Sequence, residues 1–171
     1  MSLNLYKYHT NPESISGFDQ ATNRVPHLAW DHFRDKPKEL RKREHLWAKS
    51  PMYSYLYAQE VIEEKFPQGE DAIATSAGHS YLYANDVLKG ERVEKIEDAI
   101  ATSAYYSYAY AIYVLKGERF EKGEDAIATD AGYSYDYAIY VLKGERFEKG
   151  EDAIRGSEYQ ERYEELTGVK L

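Results

Sequence analysis

Hydrophobic and polar positions recur along this chain with a period of 27 residues. The tetrapeptide Glu-Asp-Ala-Ile begins at four positions with this spacing: Glu70, Glu97, Glu124 and Glu151. Three units, 74–100, 101–127 and 128–154, follow one another without a gap, and a fourth, 48–73, is one residue shorter. Such a period is typical of helical-repeat proteins, in which each repeat buries its apolar face against its neighbours.

Each unit is predicted to contain two helices. In the unit 101–127 the longer helix covers about residues 104–116 and the shorter about residues 121–128. A Lys-Gly pair, with glycine at the first position beyond the helix, is expected to end each of the last three long helices. Residues suited to the N-cap precede the helices, and these are Ser76, Ser103, Asp130 and, before the last helix, Ser157. The sequence therefore predicts an all-α fold, a short α-solenoid of about four 27-residue helix-pair repeats.

One face of the long helix is nearly identical in all four units. In the unit 101–127 it consists of Ser107, Tyr108, Tyr110, Ala111, Val114 and Leu115. At 100° per residue these positions occupy an arc of about 160°, with the two small residues at its centre. Small residues allow a neighbouring helix to approach closely. We interpret this face as the packing surface between repeats.

The opposite arc of the long helix differs between units. It is mostly polar in the first two units and becomes tyrosine and isoleucine in the last two. Its residues there are Tyr106, Ile112, Tyr113, Tyr133, Ile139 and Tyr140. Adjacent copies would form a connected aromatic stripe, and tyrosine is favoured at protein interfaces. We predict that these residues bind a partner; the alternative is that a neighbouring helix or the N-terminal segment covers them.

The ends of the array differ from the repeats, as a solenoid requires. Residues 155–171 are predicted to form a C-terminal capping helix, with Tyr159, Tyr163 and Leu166 on one stripe and a stop at Gly168. Residues 1–47 contain no recognisable repeat and are predicted to form the N-terminal cap, with helices at about 26–34 and 37–49. The residues expected to reach its core are Leu28, Trp30, Phe33, Leu40 and Trp47. Residues 1–24 are expected to lie over the scaffold or to order with a partner.

The chain contains 18 tyrosines and no cysteine among 171 residues. Because a tyrosine hydroxyl needs water or a partner, many of the rings are expected at the edge of a thin core. The absence of cysteine excludes disulfides and cysteine-ligated metals. No segment has the apolar length of a signal peptide or a membrane span, so a soluble protein in the cytoplasm is expected.

The formal net charge is −8. Residues 48–171 contribute −10, whereas residues 1–47 contribute +2. An acidic array disfavours direct binding to nucleic acid or anionic membranes. It leaves open mimicry of DNA, although basic residues interleave the acidic ones, and the tyrosines leave open a stacking platform for a nucleobase. The basic cluster is interpreted as a solvated helix face, and it consists of Arg34, Lys36, Lys38, Arg41, Lys42 and Arg43.

No motif for a catalytic nucleophile, a phosphate-binding loop or a metal site is present in the sequence. His27 and Asp31 have a helical i,i+4 spacing that suits two metal ligands, but no third candidate is placed near them. The repeated Glu-Asp pairs are explained by their position at helix N-termini. We therefore expect a protein without catalytic residues, bound metal or cofactor.

The segment 110–129, Tyr-Ala-Ile-Tyr-Val-Leu-Lys-Gly-Glu-Arg-Phe-Glu-Lys-Gly-Glu-Asp-Ala-Ile-Ala-Thr, resembles tandem repeats in uncharacterised proteins of tailed bacteriophages. The opening Leu5-Tyr6-Lys7-Tyr8 and the following Asn11-Pro12-Glu13-Ser14 are also similar to the start of those proteins. The likeness covers about two-thirds of the chain, and the glutamate after the Lys-Gly pair departs from it. It implies a viral origin and a host cell as the working environment, and it carries over no activity or site residues.

These observations favour a non-catalytic repeat scaffold that binds a macromolecular partner, a phage accessory protein that inhibits or redirects a host protein in the host cytoplasm. The same tyrosine-isoleucine arc would also suit a structural module that forms homo-oligomers. An acidic DNA mimic or a nucleotide-binding protein is a third hypothesis.

Overall fold

The computed structural model describes residues 26–171, in which every regular element is a helix. The α-helices are α1 (Pro26–Phe33), α2 (Pro37–Arg41), α3 (Glu44–Trp47), α4 (Pro51–Leu56), α5 (Glu70–Ile73), α6 (Ala77–Leu82), α7 (Glu94–Ile100), α8 (Ala104–Ala109), α9 (Glu124–Ile127), α10 (Ala131–Tyr140), α11 (Glu151–Ile154) and α12 (Gln160–Thr167). Long and short helices pack as adjacent pairs. The prediction of an all-α helical-repeat fold is confirmed, and the segment 1–24 lies outside the described residues.

The chain divides into two units, Met1–Ala72 and Ile73–Leu171. The first unit contains the N-terminal segment together with almost all of the first repeat. The second unit contains the other three repeats and α12. The division therefore falls one residue before the end of the first repeat.

In the first three repeats the long helix changes its hydrogen-bonding pattern part-way along, whereas α10 in the fourth repeat is α-helical from Ala131 to Tyr140. After α4, α6 and α8 the chain continues as the π-helical segments Tyr57–Ile62, Tyr83–Val87 and Tyr110–Val114. The wider turn is marked by backbone bonds that span five residues, such as the 2.9 Å bond from Leu115 N–H to Tyr110 C=O. The sequence predicted one continuous α-helix here, because hydrophobic spacing does not distinguish an α-helix from one that widens into a π-turn.

The long helices end in a left-handed backbone conformation. Lys116 and Gly117 have φ angles of 56° and 85°, and the other Lys-Gly pairs repeat this geometry. The sequence placed only the glycine outside the helix, so the left-handed lysine is a correction. The shorter first repeat has a single left-handed residue, Glu63, at this turn. The one residue that the first repeat lacks relative to the others is therefore missing from this turn, which leads to Phe66.

The predicted N-caps are confirmed in the second, third and fourth repeats. The side chains of Ser76, Ser103 and Asp130 accept hydrogen bonds from backbone N–H groups three residues later. Ser157 does not cap the last helix, contrary to prediction. Helix α12 begins at Gln160, and the Ser157 hydroxyl donates to Ile154 C=O at 2.6 Å and accepts from Tyr159 N–H, which precedes the helix, at 3.2 Å.

The small residues on the long helix allow close contact with the short helix before them. The Ser107 hydroxyl is fully buried and donates to Ile100 C=O at 3.0 Å. On its other side lies Gly123, where an added Cβ atom would be 2.6 Å from Ser107 Cβ and 2.5 Å from the Phe120 ring. In the second repeat, Val93 and Ile96 occupy the positions of Phe120 and Gly123. The second repeat thus has a smaller side chain than phenylalanine at the first of these two positions and a larger one than glycine at the second.

We expect Gly123→Ala to lower the free energy of unfolding by about 1–3 kcal/mol, because this contact has no room for a methyl group. Gly123→Ile should lower it further. The double variant F120V/G123I, which copies the pair found in the second repeat, should recover most of the loss. Urea unfolding followed by circular dichroism measures all three variants. A double variant as unstable as Gly123→Ile would show that the two repeats do not use interchangeable packing.

Successive repeats are joined by a buried tyrosine, a glutamate and an arginine. The Tyr110 hydroxyl donates to Glu97 Oε1 at 3.0 Å, and Arg92 Nε donates to the same carboxylate at 2.5 Å. Both the tyrosine and the glutamate are buried. The junction of the third and fourth repeats has the same arrangement, with Tyr137, Glu124 and Arg119. The junction of the fourth repeat with the C-terminal cap has it as well, with Tyr163, Glu151 and Arg146. The prediction that many tyrosines lie at the core edge is therefore wrong for this column, because a buried carboxylate takes the place of water.

The N-terminal segment contains an element equivalent to a repeat's short helix. In α3, Glu44 accepts a hydrogen bond from Tyr57, thirteen residues later, as Glu97 does from Tyr110. The Trp47 C=O accepts from Ser54, seven residues later, at 2.7 Å. Glu44 also lies 26 residues before Glu70, the spacing of the shorter first repeat. Residues 44–47 thus act as a degenerate repeat helix, which the sequence analysis missed because only the glutamate is retained.

Other parts of the two ends differ from prediction. The helix expected at 37–49 is broken into α2 and α3, and Leu28 is only half-buried. The interpretation of the basic cluster as solvated is wrong for Arg43, whose side chain is 12% exposed and lies 4.0 Å from the Phe33 ring centroid. In the C-terminal cap Tyr163 is buried, but Leu166 is 38% exposed. The predicted stop at Gly168 is present, with a φ angle of 76°.

Candidate functional site

The six residues predicted to bind a partner differ in exposure. Tyr113 and Tyr140 are 67% and 53% exposed. The remaining four, Tyr106, Ile112, Tyr133 and Ile139, are half-buried. The partial burial of two of the tyrosines comes from ring contacts between repeats. Tyr106 packs on Tyr81 with ring centroids 5.7 Å apart, and Tyr133 stacks on Tyr108 at the same distance.

A continuous series of tyrosine rings runs across the second to fourth repeats. Tyr105 connects the two pairs, since its ring lies 4.9 Å from Tyr106 and 5.9 Å from Tyr133. In the second repeat the equivalent position is Gly78, where a Cβ atom would lie 2.9 Å from the Tyr106 hydroxyl. Glycine there makes room for the tyrosine of the next repeat, whereas Tyr105 packs beside that ring and stays 52% exposed.

An open groove of about 670 Å³ lies between the long helices of the third and fourth repeats. It is lined by Tyr108, Ile112, Tyr113, Lys116, Gly117 and Tyr140. Helices α8 and α10 pack directly on each other. Residues 108, 112 and 116 are spaced by four and therefore follow one edge of the α8 helix and its continuation. The groove thus brings together three of the six predicted residues, and Ile139 does not line it.

The groove exposes polar groups that have no partner among residues 26–171. The hydroxyls of Tyr108, Tyr113 and Tyr140 make no hydrogen bond there, and the Lys116 ammonium makes neither a hydrogen bond nor an ion pair. Burial, with a smaller contribution from Asp136 and neighbouring tyrosines, raises the pKa of Tyr108 to about 12. Its hydroxyl is protonated at neutral pH, as an ordinary tyrosine hydroxyl also is, and can donate a hydrogen bond.

Asp136 lies on α10 near Tyr108 and is half-buried. It has no hydrogen bond or ion pair among the described residues. Partial burial raises the pKa of Asp136 because it disfavours the charged form. A cation placed beside this carboxylate would replace the lost hydration and stabilise its charge. The equivalent residues of the second and third repeats are Leu82 and Ala109, so the carboxylate is specific to the fourth.

Four residues in or beside the groove were not predicted from the sequence: Tyr108 and Lys116 line the groove, whereas Tyr105 and Asp136 lie outside its lining. Tyr105 and Asp136 depart from the repeat consensus, and that departure was the available signal. Tyr108 was assigned to packing, but it both stacks on Tyr133 and lines the groove. Lys116 was interpreted only as a helix-terminal cation. Whether these residues lie together depends on how far one repeat is rotated relative to the next. A helical wheel describes a single helix and does not give this rotation.

No family model, curated protein or solved structure matches this chain. Among residues 26–171 no group of three or more His, Asp or Glu side chains is arranged to hold a metal ion. His27 and Asp31 are both exposed on α1. Within the same residues no helix combines the length and apolar character needed to cross a membrane. The groove between the third and fourth repeats is therefore the candidate site.

Proposed function

We propose that this protein is a non-catalytic repeat scaffold that binds a protein partner through the groove between the long helices of its third and fourth repeats. The observation that carries the proposal is the exposure of Tyr113 and Tyr140 beside this groove. Neither ring makes an aromatic contact or a hydroxyl hydrogen bond among residues 26–171. Tyrosines in this situation are frequent anchors of protein interfaces, since their rings bury a large area at low entropic cost.

The repeated core supports the same assignment. Every junction between repeats in the second unit uses the same buried contacts, so the groove is held by a rigid framework. Residues that depart from the repeat, such as Asp136, contribute nothing to those contacts. Surface variation on a constant framework is how repeat proteins present binding surfaces. Because the repeat resembles those of tailed-phage proteins, a host protein is the partner to search for first.

Protein binding is favoured over DNA mimicry by the arrangement of charges. Lys122 lies 2.5 Å from Asp98, and Lys149 lies 2.7 Å from Asp125. These lysines interrupt the carboxylates of successive repeats, whereas a DNA mimic needs a sustained negative surface.

The double variant Y113S/Y140S should lose partner capture. One tyrosine that acts as an interface anchor contributes about 2 kcal/mol or more, which is about 30-fold in affinity, so loss of both should weaken binding by between about 30-fold and about 1000-fold, because anchor contributions do not add fully. Quantitative mass spectrometry of proteins captured from host lysate measures this loss. Tyr105→Ser is the matched control, because Tyr105 is similarly exposed but does not line the groove.

Equal capture by the double variant and the wild type would contradict the proposed site. A large fall in the melting temperature of the double variant would instead place both rings in the core. If the surface joins copies of this chain, light scattering should show a mass that rises with concentration in the wild type and not in the double variant. That result would replace the heterologous partner with self-association.

A further inference from the structure

The unpartnered groups of the groove specify what an occupant must offer. The hydroxyls of Tyr108, Tyr113 and Tyr140 and the Lys116 ammonium are hydrogen-bond donors without acceptors among residues 26–171. Ile112 and the tyrosine rings provide apolar surface. Asp136 does not line the groove, but it provides an unpaired negative charge near Tyr108, which does. The complementary ligand therefore has free carbonyl oxygens, compact apolar side chains and one cation.

These requirements separate an extended ligand from a helical one. The carbonyl groups inside an α-helix are already bonded within the helix and leave few acceptors for tyrosine hydroxyls. A polyproline II segment has no internal hydrogen bonds, so all its carbonyl groups remain free. Grooves lined by aromatic side chains are the usual receptors for such segments.

The spacing of the tyrosines suits the same ligand. Tyr113 and Tyr140 occupy the same position in successive repeats, on long helices that pack side by side. Packed helices lie about 8–10 Å apart. A polyproline II segment repeats every three residues, which corresponds to about 9 Å. A polyproline II segment that runs across the groove, from the long helix of the third repeat to that of the fourth, would thus present the same face to Tyr113 and to Tyr140.

We propose that the groove binds an extended, proline-rich segment of a partner protein, with an arginine or lysine of that segment paired to Asp136. The inference rests on the proposed function, because it names the class of partner for the same site. Prolines at positions i and i+3 pack against Tyr113 and Tyr140, and the tyrosine hydroxyls donate to the carbonyl groups between them. The cation of the segment lies beside Asp136, which follows Tyr133 by three residues on α10, and Tyr133 stacks on Tyr108.

Selection from a displayed library of random short peptides on the immobilised full chain tests this inference without assuming a sequence. Peptides selected on the wild type should be enriched in prolines spaced by three residues, with an adjacent arginine or lysine. A parallel selection on Y113S/Y140S should show no such enrichment. Selection on Asp136→Asn should retain the prolines and lose the preference for the basic residue.

Calorimetry with the most enriched peptide measures the ion pair. Asp136→Asn should weaken its binding by about tenfold, the usual effect of losing a charge-assisted hydrogen bond. Replacing the basic residue of the peptide by alanine should weaken binding to the wild type equally and cause no further loss with Asp136→Asn. If the alanine peptide bound Asp136→Asn more weakly than the unchanged peptide does, by the same factor as with the wild type, the pairing of that cation with Asp136 would be overturned.

Other selection results would overturn the class of ligand. Enriched peptides with apolar residues at helical spacing would indicate a helix in the groove, and peptides resembling this chain would indicate self-association. Proline enrichment that persists on Y113S/Y140S would place the binding elsewhere. If no peptide is enriched while Y113S/Y140S still loses its partner from lysate, the segment inference fails and the proposed function stands. If that variant captures the partner normally, the proposed function itself fails.

Discussion

Deletion of residues 101–127 should yield a folded protein that is one repeat shorter. The deletion joins Ile100 to Ala128, and the new junction Ile-Ala-Thr-Asp already occurs at residues 127–130. The chain therefore leaves a short helix and enters a long helix with the local sequence that it uses in the native protein. Because repeat arrays are stabilised by each repeat and its nearest-neighbour contacts, one complete repeat can be removed without destroying the others.

The new interface should reproduce the contacts of the old one. Tyr137 would meet Glu97 and Arg92 in place of Glu124 and Arg119, which perform the same role one repeat later. Lys149 would meet Asp98, the residue that pairs with Lys122 in the native chain. The shortened protein should keep its helicity per residue and a cooperative unfolding transition at a lower urea concentration, since it has lost one repeat and one interface.

Deletion of residues 101–113 is the control for this experiment. It removes fewer residues, but it joins a short helix to the middle of a long helix and takes away Ser107 and Tyr110. The second unit should then lose cooperative unfolding, as measured by circular dichroism in urea. If both deletions behaved alike, the 27-residue period would not be the unit of stability. The complete-repeat deletion also removes Tyr108, Ile112, Tyr113 and Lys116, so it should abolish partner capture while remaining folded.

Replacing Tyr137 with phenylalanine should lower the free energy of unfolding by about 1–3 kcal/mol. The Tyr137 hydroxyl accepts from Phe120 N–H at 2.9 Å and donates to Glu124 Oε1 at 3.3 Å. The variant removes one oxygen atom and leaves both a buried N–H group and a buried carboxylate without this partner. Tyr137→Ala should be costlier, about 3–5 kcal/mol, because it also leaves a cavity between repeats.

Urea unfolding gives both values, and Tyr113→Phe is the matched control. The Tyr113 hydroxyl has no partner among residues 26–171, so its loss should change stability by less than about 0.5 kcal/mol. A Tyr137→Phe variant as stable as Tyr113→Phe would show that the buried hydrogen bonds contribute no net stability. Tyr163→Phe should behave like Tyr137→Phe, since its hydroxyl makes the same two kinds of bond.

The candidate site was predictable in part. Column-by-column comparison of the repeats identified Tyr113 and Tyr140, because they vary on the face opposite the packing surface. It did not separate them from Tyr106 and Tyr133, which are half-buried against rings of the preceding repeat. Nor did it identify Asp136, which is near enough to Tyr108 to raise its pKa only because the fourth long helix packs beside the third. The periodicity of a sequence predicts which side of one helix a residue occupies. It does not predict which residues of two helices together line a groove.

The sequence by itself determined the helical-repeat fold, the period, the N-caps of three long helices and the small residues of the packing face. Each of these follows from interactions within one repeat or from a pattern copied in every repeat. Only the tertiary structure decided that Glu97, Glu124 and Glu151 serve buried tyrosines. It also decided that residues 44–47 replace a repeat helix. The physical reason is that a buried carboxylate needs a donor from another element, and a residue's own neighbours in sequence do not reveal that donor.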